Sequence, residues 1–213
     1  TWTIWRNGGT SASGFHTPGH QSLVNTIRAT GANNMIIAGG QNWAWDMRQI
    51  NTYALTDTAS GYGIAYEAHI YDNKGGSTIT DKINLWNTYV TAAVANGYCV
   101  VIGEFGPTTD GNQDNGGCTP FESELISWIN GNNPQSYVYS AFGWCWHQGA
   151  TPRLIKDWSF TPTDCHGLQV RNWLQSLPTP NCGVTTATFT RTRTSTPTYT
   201  RTAVPPTATF NRI

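Results

Sequence analysis

The sequence predicts an α/β fold built on a parallel sheet. Two observations carry that reading. Short apolar runs alternate along the chain with helix-like segments, and each run is continuously apolar instead of alternating with polar residues. Strands covered on both faces read as unbroken apolar runs, and a strand–helix–strand order supplies the crossovers that parallel pairing needs.

The elements follow in order. HQSLVNTIRATG (20–31) has a helical pattern and closes on a glycine, a usual helix stop signal. NMIIAGG (34–40) comes next and predicts a first strand over 34–39. GIAYEAHIY (63–71) predicts a second strand over 64–71, and DKINLWNTYVTAAVANG (81–97) predicts a helix behind it. CVVIGEF (99–105) predicts a third strand over 99–104, followed by a helix at FESELISWING (121–131). SYVYSAFGWCW (136–146) predicts a fourth strand over 138–146, and HGLQVRNWLQSL (166–177) a last helix. A closed eight-stranded βα barrel takes about 250 residues. The 182 residues up to Cys182 fit either a small open sheet or the second part of such a barrel. After Cys182 the composition changes. Residues 183–213 are rich in Thr and Pro, lack any acidic residue and have no amphipathic period. Such a segment buries too little to order itself, so 183–213 is expected to be an extended linker.

Composition excludes several classes of function. Twelve basic residues balance twelve acidic ones, and charged residues make up 11 % of the chain. Nothing here attracts nucleic acid or an anionic membrane surface, and no apolar stretch reaches the roughly 20 residues of a membrane span. Ten Trp, nine Tyr and seven Phe suit a neutral, extended ligand with flat apolar faces. Polysaccharide fits. The opening TWTIWRNGG shows no signal-peptide pattern and reads as mid-protein text. Five cysteines form no CxxC pair, so no zinc or thioredoxin-type site is expected. Cys99 and Cys145 lie in apolar runs and are expected as buried thiols. Cys118, Cys165 and Cys182 lie near turns, and one disulfide among them suits a secreted protein.

Chemistry gathers at the strand ends. Trp43 and Trp45 follow the first strand; His69 and Tyr71 end the second on one face, because strand side chains alternate. Glu104 ends the third, and Trp144 and Trp146 end the fourth. In parallel βα architectures the carboxyl ends of strands are where active sites assemble. Glu67 shares the face of His69 and Tyr71 one layer deeper, and reads as a structural, hydrogen-bonded carboxylate. His16 and His20 are separated by Pro18 and Gly19, which prevents a shared helical face for a metal. No phosphate-binding Gly loop and no G-x-S-x-G elbow occurs, and no cofactor is expected.

AHIYDN, then VVIGEFGP, then GWCWHQG resemble the second half of a family-five glycoside hydrolase, a family of endoglucanases and related β-glycanases. GGQNWAWD resembles the end of that family's fifth strand, and the resemblance runs over about residues 1–180. It implies strands five to eight of a (β/α)8 TIM barrel over 1–182. It further implies that Glu104 is the nucleophile, that Tyr71 holds it ionised and aimed, and that His69 binds substrate hydroxyls. Trp144 would be the platform under the cleaved sugar, with Trp146 and Trp43 at neighbouring positions. A secreted β-1,4-glucanase follows as the expectation, with the 183–213 linker leading to a lost module such as a carbohydrate-binding domain.

One departure stands against the match. Retaining glycosidases use two carboxylates about 5–5.5 Å apart, and the family's acid/base glutamate sits in an N-E-P motif that this sequence lacks. Of the four glutamates, Glu122 and Glu124 fall on a predicted outer helix and Glu67 lies on the nucleophile's side. The chain is therefore expected to be a fragment, inactive alone. A carbohydrate-binding domain or pseudoenzyme that keeps the Trp platform without the chemistry is the alternative.

Overall fold

The structure is a computed structural model, and it describes residues 1–58, 62–108, 118–132 and 139–178. The expected linker at 183–213 lies outside the described residues. Residues 1–177 form one compact unit.

The chain opens with helix α1 (Trp2–Asn7), then a small antiparallel pair, β1 (Gly9–Thr10) and β2 (His16–Thr17). The sequence reading had no element for this opening stretch. Helix α2 (His20–Ala29) leads into β3 (Ile36–Gly39), a tight turn α3 (Gln41–Ala44), and β4 (Ile64–Tyr71). Helices α4 (Ile79–Tyr89) and α5 (Thr91–Val94) precede β5 (Val100–Gly106). Helix α6 (Phe121–Gly131), strand β6 (Tyr139–Gly143) and helix α7 (His166–Ser176) complete the order. Strands β3, β4, β5 and β6 pair in that order, all parallel.

The predicted strands are all present, and the differences are local. The fourth strand stops at Gly143, three residues before the predicted 146, because Cys145 N–H turns away to Pro152 O at 2.7 Å. The single helix predicted over 81–97 is two. Met47 N–H donates to Tyr89 O at 3.0 Å, so that carbonyl serves the loop after β3 as the first helix ends.

The core lies on one side of the sheet. Tyr66, Ala68 and Ile70 of β4 and Val100, Ile102 and Phe105 of β5 face it, packed with Trp86 of α4 and Leu125 of α6. Cys99 corrects an expectation: it is exposed, since Val100 and Ile102 take the core side and alternation sends Cys99 to the other. Cys145 is half-buried, and Cys118 is bonded to Cys165. The opposite sheet face carries Ile37 and Phe142, 49 % and 59 % exposed. Among the described residues no helix is long and apolar enough to cross a membrane.

Candidate active site

Three strand ends build a cleft of about 620 Å³. His69 and Tyr71 come from β4, Glu104 from β5 and Trp43 from the turn after β3, with Asn73, Lys74, Thr108, Thr151 and Pro152 around them. The hydroxyl of Tyr71 donates to Glu104 Oε2 at 2.6 Å, and His69 Nδ1 lies 3.4 Å from the same oxygen. Burial, then the bond to Glu104, pushes the Tyr71 phenol well above its ordinary range, so it stays a donor. The Cys145 thiol close by is also raised, by burial first and the Glu104 charge second.

The backbone explains why Glu104 reaches this face. His69 pairs with Glu104, whereas Ala68 pairs with Ile102, so Gly103 is an extra residue in β5. A bulge of this kind re-aims the side chain after it. Gly103 has a second role. A Cβ there would fall 1.6 Å from Glu67 Oε1, so only glycine leaves room for the Glu67 carboxylate. Glu67 Oε1 then lies 3.3 Å from His69 Nε2. The imidazole of His69 is thus held between two carboxylates, Glu67 on one side and Glu104 on the other.

Trp43 stands 81 % exposed on a turn in which Asn42, Trp43 and Ala44 all have left-handed φ near 56–58°. Lys74 Nζ sits 5.3 Å from the Trp43 ring centre, within cation–π range. Lys74 is carried by a loop that Lys82 holds through the carbonyls of Asp72, Gly75 and Gly76. Trp144, 42 % exposed, lies just past β6, its backbone N–H bonded to Phe105 O at 2.9 Å, and it is not among the residues that line the cleft. Trp146 is elsewhere. It lines a separate apolar hollow of about 550 Å³ along β6 and α7, and stacks on Phe160 at 5.6 Å.

Sequence reasoning missed Asn73, Lys74 and Thr108, although DNK directly follows the strand-end HIY and was there to be read. Glu122 lies on the helix predicted for it, α6, and its side chain is turned inward. Glu122 is 3 % exposed and bonded to the buried His166. Among the described residues no group of three His, Cys, Asp or Glu is arranged to hold a metal ion.

Residues 5–150 match the family described as Cellulase (glycosyl hydrolase family 5). The chain belongs to that family. An endoglucanase of Clostridium saccharobutylicum is 29 % identical over 124 residues, 58 % of this chain and 24 % of that protein. The β-glucanase SdGluc5_26A of Saccharophagus degradans superposes with a TM-score of 0.57 at 23 % identity, over 73 % of this chain and 45 % of that one. Its complex with cellotetraose superposes at 0.56 and 22 % identity over the same shares. This family 5 chain thus spans about a quarter of that endoglucanase and under half of that β-glucanase. Its parallel sheet with helices behind it is part of a (β/α)8 barrel.

Proposed function

We propose that this family 5 chain is the C-terminal portion, strands five to eight, of a secreted retaining β-glycosidase that cleaves β-1,4-glucan. The observation that carries the reading is the 2.6 Å bond from Tyr71 to Glu104 at the carboxyl ends of adjacent parallel strands. Glu104 attacks the anomeric carbon, the glycosidic bond breaks, and a covalent glycosyl–enzyme forms that water then hydrolyses with retained configuration. Tyr71 donates to one Glu104 oxygen and leaves the other free to attack. His69 contacts substrate hydroxyls, Trp144 lies under the cleaved sugar, and Trp43 extends the apolar floor. The leaving oxygen needs a proton from a general acid, a contribution of about 10²–10⁴-fold. That acid comes from the barrel half outside these residues, in keeping with the 45 % share of the β-glucanase and the missing N-E-P text. The cellotetraose complex of that β-glucanase supports a β-glucan substrate. Residues 183–213 link the barrel to a further module such as a carbohydrate-binding domain.

The test joins the missing barrel half to this chain and compares it with the chain alone on a soluble β-glucan. The completed protein should hydrolyse with retention, Glu104→Gln should abolish hydrolysis, and the chain alone should be nearly inert. Equal rates from both would make a carboxylate of this chain the acid, Glu67 first. Binding by the completed protein with no cleavage would establish the carbohydrate-binding alternative.

A further inference from the structure

Behind the strand end that carries Trp144 lies a buried pair outside the cleft. His166, fully buried at the start of α7, faces Glu122 of α6 with Nδ1 2.7 Å from Oε1. Its other nitrogen, Nε2, lies 2.7 Å from Trp144 O. A carbonyl oxygen only accepts, so Nε2 carries hydrogen and donates to Trp144. One proton then lies between Nδ1 and Oε1, whichever atom holds it. Burial raises the Glu122 carboxyl above its ordinary range, His166 draws it back, and the Asp72 charge raises it further.

Three features converge on this contact. A Cβ on Gly106 would fall 3.1 Å from both His166 Nε2 and Trp144 O, and 2.6 Å from Pro152, so glycine there lets imidazole and carbonyl meet. Phe105, next to Glu104, packs edge-on to the His166 ring at 6.0 Å. The Cys118–Cys165 disulfide ties together the segments that carry Glu122 and His166, since Cys165 precedes His166 directly.

We propose that Glu122 and His166 are positioning residues: the imidazole, oriented by Glu122, clamps the Trp144 carbonyl and so fixes the stretch of backbone that presents the Trp144 indole. The inference rests on Trp144 being a sugar platform, as proposed above.

The test uses the 213-residue chain labelled with ¹³C and ¹⁵N, and cellotetraose as the probe. His166 Nε2–H should show a coupling across the hydrogen bond to the Trp144 carbonyl carbon. Glu122→Ala should remove that coupling and weaken cellotetraose binding by about tenfold, the scale of a lost bond to a buried polar group. Glu122→Gln should stay within about threefold of wild type, because its amide N–H can donate to Nδ1. In a Trp144→Ala background Glu122→Ala should have no further effect, the mark of action through one partner. Independent, multiplying losses would overturn the proposal, as would a wild-type chain without the coupling. If Glu122→Ala does not fold, Gly106→Ala takes its place, since it parts His166 from the carbonyl and leaves the pair in being. A wild-type chain that binds no cellotetraose would count against the platform reading, and the coupling alone would then decide the clamp.

Discussion

Gly103 and Gly106 flank the Glu104–Phe105 dipeptide, and each clears space for a group from another element. At Gly103 the guest is Glu67, at Gly106 the His166–Trp144 contact. Gly103→Ala must expel the Glu67 carboxylate, an overpacking cost of about 1–3 kcal/mol. Urea denaturation should show that loss; a change within noise would mean Glu67 swings aside freely. Tyr71→Phe removes the donor to Glu104. Hydrogen bonds to charged groups contribute about 1.5–3 kcal/mol, so kcat of the completed enzyme should fall by about 10- to 100-fold with little change in KM. The phenol's raised value also sets a pH dependence. A group raised on folding stabilises fully below its unfolded value of about 10 and loses that contribution as pH rises toward the folded one. Alkaline denaturation should therefore be shallower in Tyr71→Phe than in wild type.

Helix α4 shows how an element is bounded by local chemistry at one end and tertiary contact at the other. Thr78 caps its start, accepting from Asp81 N–H, while the Asp81 carboxylate accepts from Thr78 N–H at 3.0 Å. Thr78→Ala should cost about 1 kcal/mol, readable by thermal denaturation at pH 7. The Asp81 carboxyl is held below its ordinary range, chiefly by the Thr78 hydroxyl and next by its N–H. A depressed carboxylate stabilises above its unfolded value of about 4 and loses that contribution as pH falls through the folded one. The gap between Thr78→Ala and wild type should hence narrow in strong acid; a constant gap would show that Asp81 does not report on the cap. At the other end the Met47 N–H claims the Tyr89 carbonyl, and helix α5 restarts at Thr91.

At the scale of the molecule, one disulfide and one open face dominate. Cys118 and Cys165 are 47 residues apart, and closing a loop of that length stabilises by about 4 kcal/mol in the chain-entropy view. Reduction, or Cys118→Ser, should lower the unfolding midpoint clearly, with a matched loss in the two cases. The sheet has β3 and β6 at its edges among the described residues, and Ile37 and Phe142 stand exposed on one face. Unpaired edges beside an apolar face favour association. Sedimentation of the isolated chain should shift to larger species as concentration rises, and joining the other barrel half should suppress the shift. A monomer up to high concentration would contradict this.

The order of elements and the side chains that stand at the strand ends were legible because both are short-range properties. Continuous apolar runs give strands, glycines end helices, and period-two alternation puts His69 and Tyr71 on one face, with Glu104 at the next strand end. The resemblance to family five added Tyr71 as the partner of Glu104, 33 residues away, and a 2.6 Å bond joins the two side chains. What stayed hidden depends on residues far apart in the chain. Glu122 meets His166 across 44 positions, and His166 meets Trp144 across 22. The bulge at Gly103 follows from the register of β5 against β4, which no single strand encodes. Trp144 and Trp146, alike in the text, part company because the chain turns away after Gly143. Local sequence thus determined which side chains reach the strand ends. Only packing between distant segments decided which of them meet, since a contact's energy depends on where both partners are held.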